Sequence, residues 1–252
     1  METIEYKGHV IEITQDDCPE NPRSWDNLGY FVNTTRHAIG DEDIDYPVIY
    51  RQFEALEDCG VDWGEITRKY RRKGESWDDT IELTMGELEQ RILENPKPFD
   101  ALWRFHMVAL DVFIYEHSGI AMNCSGFSCP WDSGNAGFIY VSRDQIRQEF
   151  GNVYLTRKIR RKVTKILIGE VKAMHQYLSG DVWNWYVEFS DGDANGCSGY
   201  YGQADAISDA KAAIDWKLGE MRKAHFSKLK QWIRARVPFI YRKASPRLAV
   251  VS

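Results

Sequence analysis

The amino-acid sequence predicts an α+β fold, in which an antiparallel sheet built from hairpins packs against two long amphipathic helices. Strand-like alternation comes in pairs around short turns, first over Thr3 to Thr14 with Lys7-Gly8-His9 at its centre. Apolar residues recur at helical spacing after Thr156 and again from about Asp205 to Trp232. No internal repeat or low-complexity linker divides the chain. We therefore expect a single domain over residues 1–236, with a sub-boundary near residue 97 left open and an extended or partly disordered tail over residues 237–252.

Local signals place the remaining elements in order. Thr84 and Ser142 each stand three positions before a Glu or Gln, the capping-box pattern that begins a helix. The helix after Thr156 should end at Gly180, where a C-cap glycine belongs. A helix over residues 100–110 remains open as an alternative to the start of one predicted strand. Strands are predicted at residues 28–35, 108–115, 120–123, 137–141, 182–190 and 197–201.

Length and composition restrict the class of protein. The chain has 252 residues, of which 43% are apolar and 28% charged, so it can bury a core and is not a disordered or fibrous protein. The most apolar window, Met107 to Tyr115, is interrupted by Asp111 and is too short to span a membrane. The charged, alternating N-terminus does not resemble a signal peptide. Five cysteines, an odd number, suit a reducing cytoplasm.

The net charge of −6 conceals blocks of opposite sign. Residues 1–60 carry 14 acids and 4 bases, whereas residues 143–172 carry 9 bases and 3 acids and residues 211–252 carry 11 bases and 2 acids. Such blocks either neutralise one another inside the folded chain or form separate faces that steer a partner. The basic arc after Thr156, which includes Arg157, Arg161 and Lys165, is expected to pair with the chain's own acids, and direct binding of nucleic acid is not expected.

Two further groups are candidates for contact with a partner. The acidic run contributes Asp41, Glu42, Asp43 and Asp45, which form either a solvated loop or a mimic of a phosphate backbone. Trp183 and Trp185 alternate on one predicted strand and share a face, so they form either an exposed contact patch or part of the core. We take both groups as the predicted binding residues.

One constellation could carry catalysis. Cys129 lies near Asp132 and follows His117 by twelve positions, which is the general composition of an activated thiol. The alternative is a tight structural loop in which Cys129 is a small buried side chain and Trp131 fills the core. A zinc site recruiting Cys124, Cys129, His106 and His117 lacks a second cysteine pair. We expect no metal and no cofactor.

Four sequence patches are distinctive. They are Pro19 to Gly29 (PENPRSWDNLG), Glu116 to Gly119 with Phe127 to Gly134 and Gly137 to Tyr140, Gly169-Glu170 with Gln176 to Asp181, and Gly196 to Gly202 (GCSGYYG). Over residues 17–202 the chain resembles a family of small accessory proteins carried by bacteriophages and plasmids. The fourth patch has Ser198 where that family usually has tryptophan. The resemblance implies expression in the bacterial host cytoplasm and implies no particular activity.

From this combination we expect a non-enzymatic phage accessory protein that binds a host protein, such as a component of antiviral defence, and inhibits it. Two alternatives remain open. The first is an enzyme that uses Cys129 and His117 on a nucleotide or a protein, and the second is an acidic DNA mimic that inhibits a DNA-binding enzyme. No membrane partner is expected, and self-association is left open.

Overall fold

A computed structural model of the chain describes residues 1–151 and 154–238. Its strands are β1 Glu2–Tyr6, β2 His9–Gln15, β3 Tyr30–Asn33, β4 Glu42–Asp43, β5 Met107–Glu116, β6 Ile120–Asn123, β7 Ser133–Ser142, β8 Val182–Glu188 and β9 Ala194–Tyr201. Its helices are α1 Val48–Asp58, α2 Trp63–Arg68, α3 Trp77–Ile81, α4 Met85–Glu94, α5 Lys97–His106, α6 Arg143–Phe150, α7 Arg157–Ser179 and α8 Gln203–Arg236. The predicted α+β class is confirmed. No helix in the described part of the chain is long and apolar enough to span a membrane.

The chain divides into two compact units, and each has its own sheet and core. The first comprises residues 1–17 and 182–252, described as far as residue 238, and the second comprises residues 18–181. Neither limit lies near residue 97, the sub-boundary considered from the sequence. The single domain over residues 1–236 stays a prediction, and of the predicted tail over residues 237–252, residues 239–252 lie outside the described residues.

The first unit is a four-stranded antiparallel sheet in the order β1-β2-β8-β9, packed against the beginning of α8. The predicted hairpin forms as β1 and β2, with Lys7 and Gly8 at positive φ in its turn. Because side chains alternate along a strand, Ile11 and Ile13 point to the same face and are completely buried. They pack with Ala206, Ala210 and other small or apolar residues of α8.

The second unit has a five-stranded sheet in the order β4-β3-β7-β5-β6, with helices on both faces. The strands of this sheet pair antiparallel except for β3 and β4. On β7, Phe138 and Tyr140 belong to the core shared with α1, α2, α4 and α5, whereas Ile139 and Val141 belong to the core shared with α6 and α7. Burial on both faces explains why this strand is apolar at successive positions rather than at alternate ones.

Two glycines allow the backbone to approach its neighbours closely. A Cβ on Gly29 would lie 2.4 Å from Leu167 Cδ2, so a side chain there would push α7 away from the sheet. Gly137 has φ +114°, and a Cβ on it would lie 2.0 Å from the carbonyl oxygen of Val32. Both glycines fall in the distinctive sequence patches, so packing accounts for their presence there.

The helix caps form as the sequence predicts. Thr84 and Ser142 each accept a hydrogen bond from the backbone of the third helical residue, and Glu87 and Gln145 bond back to complete the capping boxes. Gly180 ends α7 in the left-handed conformation. The sequence left residues 100–110 open between a helix and the start of a strand. The structure divides them, because α5 runs to His106 and β5 begins at Met107.

Candidate functional site

The loop between β6 and β7, residues 124–132, is held by hydrogen bonds at both ends. Asn123 Oδ1 accepts from the amides of Ser125 and Gly126 at 2.9 and 2.7 Å. At the other end, the Ser133 hydroxyl donates to the carbonyl of Cys129, and the amide of Glu116 donates to the carbonyl of Asp132 at 2.8 Å. We name residues 124–132 the tryptophan loop, because it carries Trp131.

Trp131 is the most exposed large apolar side chain in the described chain, with 91% of its surface accessible. The alternative in which this residue fills the core is therefore wrong. Its backbone follows Pro130, and the neighbouring carbonyls of Cys129 and Asp132 accept the hydrogen bonds described above. A groove of about 310 Å³ beside it is lined by Ile114, Glu116, Trp131, Asp132, Ser133 and Gly134.

A polar cluster that the sequence did not reveal lies next to this loop. Arg36 donates to Glu116 at 2.8 Å, and His37 Nε2 lies 3.0 Å from the other carboxylate oxygen. Burial raises the pKa of Glu116, but hydrogen bonds from His37 and Arg36 outweigh it and hold the pKa below its ordinary value. The Arg36 side chain remains 80% exposed, so this cluster presents a guanidinium at the surface.

The predicted catalytic residues lie on this same end of the sheet without forming a catalytic arrangement. The thiol of Cys129 lies 3.6 Å from the Asp132 carboxylate. The exposed His117 ring stacks on Tyr115 at 6.3 Å, and among the described residues it makes no hydrogen bond to Cys129. Activation of a thiol requires a base or a cation within hydrogen-bond reach, and the charged group beside Cys129 is a carboxylate.

The acidic run is largely engaged inside the second unit. Asp41 pairs with Arg23 and accepts a hydrogen bond from the Phe31 amide at 2.7 Å, and its side chain is 18% exposed. Glu42 accepts from Arg51 at 2.7 Å, and Asp43 accepts from Asn33 at 2.7 Å. Of the four predicted contact carboxylates, Asp45 is the exposed one without such a contact among the described residues. These bonds stabilise the second unit, and the role of the four carboxylates in binding a partner stays a prediction.

The two predicted contact tryptophans lie in or against the core of the first unit. Trp185 is 4% exposed and donates from its indole nitrogen to Asp209 at 3.1 Å, so it presents no contact surface. Trp183 is half-buried and packs against the same core. Their shared strand face, correctly predicted by alternation, is the face that α8 covers.

The basic arc of α7 lacks the acidic partners that we expected for it. Arg157, Arg161 and Lys165 are exposed, and none of them forms a salt bridge within residues 1–151 and 154–238. They line an open groove of about 940 Å³, together with Phe150, Lys158 and Lys162. Arg160 differs, because it donates to the carbonyls of Met107 and Arg104 at 3.2 and 2.6 Å. The expectation of internal pairing is thus wrong for these three residues.

The residues considered for zinc do not assemble. In the described part of the chain, no three His, Cys, Asp or Glu side chains are close enough to hold a metal ion. Cys124 instead lines a cavity of about 310 Å³ with Met122, Ile168, Val171 and His175. Burial, with a smaller effect from Asp111, raises the pKa of Cys124 to about 11. This shift keeps the thiol protonated at neutral pH.

Comparison with protein-family models, curated proteins and solved structures finds no significant match for this chain. The resemblance to a phage and plasmid family accordingly stays a prediction. The exposed indole of Trp131 on the tryptophan loop is a feature that the packing of the second unit does not explain.

Proposed function

We propose that this chain is a non-enzymatic binding protein that docks on another protein through the tryptophan loop. The observation that carries the proposal is the 91% exposure of Trp131 on a loop held at both ends. An exposed tryptophan does not stabilise the folded monomer, because its apolar surface stays in water. At protein interfaces, tryptophan and arginine are the residues that most often dominate the binding energy.

The surroundings of Trp131 fit such an interface. Arg36, 80% exposed through its side chain, and the exposed His117 lie on the same end of the sheet, beside Glu116. They supply a polar rim around an aromatic anchor, which is the usual arrangement of a protein interface. Because the loop is already ordered by its hydrogen bonds, binding would cost little conformational entropy.

The proposed partner is a bacterial host protein, a component of antiviral defence, and the chain acts on it as an inhibitor. This part of the proposal rests on the resemblance to phage and plasmid accessory proteins and places the chain in the host cytoplasm. The enzymatic alternative has no thiol–imidazole contact to support it in the described chain. The DNA-mimic alternative loses support because Asp41, Glu42 and Asp43 bond to the chain's own residues.

Affinity capture with paired tryptophan variants tests this proposal. The tagged chain and its Trp131→Ala and Trp77→Ala variants are each incubated with lysates from several bacterial hosts. Trp77 is the matched control, because it lies in the same unit and is 52% exposed. We expect a stoichiometric protein to be captured by the unchanged chain and by Trp77→Ala.

Loss of a dominant interface tryptophan costs about 2 kcal/mol or more, so Trp131→Ala should weaken binding at least about 30-fold. Measuring the affinity of the purified partner for each variant gives this ratio. Equal affinity for the unchanged chain and Trp131→Ala would contradict the proposal, as would the absence of any stoichiometric partner.

A further inference from the structure

The exposed side of α7 is basic over residues 157–172. Eight residues of this stretch are exposed, and six of them are Lys or Arg, whereas none is Asp or Glu. These six, which make up the basic arc of α7, are Arg157, Lys158, Arg161, Lys162, Lys165 and Lys172. At about 100° and about 1.5 Å per residue, the eight exposed residues lie within about 140° of the helix surface and extend over about 22 Å. The helix therefore presents one continuous cationic surface.

The buried side of α7 does not overlap with the arc. Its fully buried apolar side chains, each at most 3% exposed, are Val163, Leu167, Val171 and Met174. By the same helical geometry they lie within about 80° on the other side of the axis. Arg160, the base of this stretch outside the arc, falls among them and donates to the carbonyls of Met107 and Arg104. Packing and charge are thus separated around this helix.

The acids of the chain do not neutralise the arc. Within residues 1–151 and 154–238, none of the six bases forms an ion pair. Residues 152–153 and 239–252, outside the description, contain no Asp or Glu. Lys162 contacts an aromatic ring instead, with its ammonium 4.6 Å from the centroid of Phe150. The positive charge of the arc is therefore uncompensated in the described chain.

The arc is also unfavourable for the helix that carries it. Like charges at positions i and i+4 destabilise a helix, and Arg161 has such a neighbour on each side, at Arg157 and Lys165. The first turn of α7 holds no acid, and its bases Arg157 and Lys158 lie where the helix dipole disfavours cations. Stability of the fold does not explain this arrangement, whereas an anionic ligand that neutralises the arc would.

We infer that the basic arc of α7 binds the phosphate backbone of a nucleic-acid duplex without regard to sequence. A DNA duplex carries one negative charge per about 1.7 Å of its axis, so 22 Å of it offers a phosphate to every base of the arc. Lys and Arg are the usual partners of phosphate oxygens, and these contacts carry no sequence information. The arc lines an open groove of about 940 Å³, which leaves its bases accessible to a large ligand.

Other anionic partners fit the arc less well. A single strand is held by aromatic side chains that stack on its bases, and the eight exposed residues include none. Lysine is depleted at protein interfaces, yet four of the six bases of the arc are lysines. A membrane surface requires an apolar face, and Ile168, 46% exposed, is the one large apolar side chain among the eight exposed residues.

The inference is independent of the proposed docking on a protein, because the arc contains no residue of the tryptophan loop. It departs from the expectation that the chain does not bind nucleic acid, which depended on the net charge of −6. At about 0.1 M salt, exposed charges more than about 10 Å apart are largely screened. The local charge of the arc therefore decides the interaction with a duplex.

Fluorescence anisotropy with the full chain tests this inference. The probes are a labelled duplex of about 20 base pairs and arbitrary sequence, made once as DNA and once as RNA, and titrated at about 50 to about 200 mM NaCl. One arc variant combines Arg157→Ala, Arg161→Ala and Lys165→Ala, since alanine is the best helix former. A second arc variant places Glu at the same three positions.

The matched control reverses three exposed bases of another helix. Arg222→Glu, Lys228→Glu and Lys230→Glu, all in α8, change the net charge by the same amount as the Glu arc variant. These three residues have no ion pair in the described chain. Circular dichroism verifies that each variant keeps its helix content.

We expect the unchanged chain and the α8 control to bind the duplex. If all six bases neutralise a phosphate, the affinity should fall about 10³-fold or more between about 50 and about 200 mM salt. The Ala arc variant should lower the slope of log K against log salt by about 2.7, at about 0.9 per lost phosphate contact. The Glu arc variant should bind at least about 100-fold more weakly at about 50 mM salt. Binding of either duplex supports the inference, and the ratio of the two affinities identifies DNA or RNA as the ligand.

Four outcomes would overturn the inference. The first is no binding of either duplex by the unchanged chain at about 50 mM salt. The second is an equal loss of affinity in the α8 control, and the third is an unchanged salt slope in the Ala arc variant. The fourth is tighter binding of a labelled single strand or of labelled polyglutamate than of the duplex, lost in the arc variants. That result would assign the arc to single strands or to an acidic protein.

Discussion

The guanidinium of Arg23 lies 3.1 Å from the carboxylate of Glu170, and the side chains are only 6% and 10% exposed. The same carboxylate accepts from the amides of Leu28 and Gly29 at 3.0 and 3.1 Å. This cluster attaches the chain around Pro22–Ser24 to α7. The cluster joins the first and third of the distinctive sequence patches. Arg23, Gly29 and Glu170 of these patches therefore have a structural role.

Removing Glu170 should destabilise the second unit. Glu170→Ala leaves the amides of Leu28 and Gly29 without their acceptor, while Arg23 keeps its bonds to Asp41, so we expect the free energy of unfolding to fall by about 2–3 kcal/mol. Asp45→Ala, at an exposed carboxylate, should change it by less than about 0.5 kcal/mol. Urea denaturation of both variants measures the difference, and a loss below about 1 kcal/mol for Glu170→Ala would show that the pair is not structural.

Two tryptophans should respond in opposite ways to truncation. Trp131→Ala removes a side chain that contacts mainly water, so the free energy of unfolding should change by less than about 0.5 kcal/mol. Trp185→Ala removes a side chain that is 4% exposed and the donor to Asp209, so a loss of about 3–5 kcal/mol is expected. Thermal unfolding of the two variants compares them directly. A large loss in Trp131→Ala would mean that this indole packs in the monomer.

The cysteines should alkylate in an order set by exposure and burial. Cys18 and Cys197 are exposed, whereas burial raises the pKa of Cys124 to about 11. With iodoacetamide at neutral pH, the exposed pair should label first and Cys124 should stay protected until the protein unfolds. Cys129 should label no faster than Cys197. Mass spectrometry of timed samples gives each rate, and labelling of Cys129 about tenfold ahead of Cys197 would restore the enzymatic alternative.

Acid should remove a contribution to stability made by Glu75. Hydrogen bonds from Arg91, with one from the Arg72 amide, lower the pKa of Glu75 to about 2. In the unfolded chain a glutamate has a pKa of about 4.3, so this contribution is complete above that pH and is lost as the pH falls towards about 2.

The measurement compares the chain with Glu75→Gln by urea denaturation between about pH 7 and pH 2. The stability difference should be constant above about pH 5 and should shrink on acidification. Glu82→Gln, at an exposed glutamate with no described partner, is the control and should show little difference at any pH. A difference that did not depend on pH would refute the assignment.

Reversing the basic arc of α7 should leave the fold intact. Arg157, Arg161 and Lys165 have no acidic partner in the described chain, and at Arg157, in the first turn of α7, the helix dipole favours Glu. We therefore expect the triple reversal to Glu to cost less than about 1 kcal/mol of unfolding free energy in total. Arg160→Glu is the contrast on the same helix, because it breaks two bonds to backbone carbonyls and should cost about 2–3 kcal/mol.

The sequence by itself determined the local structure. The capping boxes at Thr84 and Ser142, the end of α7 at Gly180 and the hairpin of β1 and β2 all formed where the pattern predicted them. Each of these features depends on hydrogen bonds or periodicity within a few residues, so the information lies in a short window.

The candidate site was only partly predictable. The sequence pointed to the loop that holds Cys129 and Asp132, because its residue types are unusual together. It did not reveal that Glu116 is bonded by Arg36 and His37, which lie 80 and 79 residues away along the chain. No local pattern records such a pair.

Only the tertiary structure decided which side chains face water. Asp41 is held by Arg23, Trp185 lies under α8, and Trp131 and Trp232 remain exposed. The sequence alone does not distinguish an acidic or aromatic side chain that is covered in the fold from one that is exposed. Burial depends on elements that are distant along the chain and meet only in the fold, and that is why the sequence did not show which acids and aromatic side chains are covered.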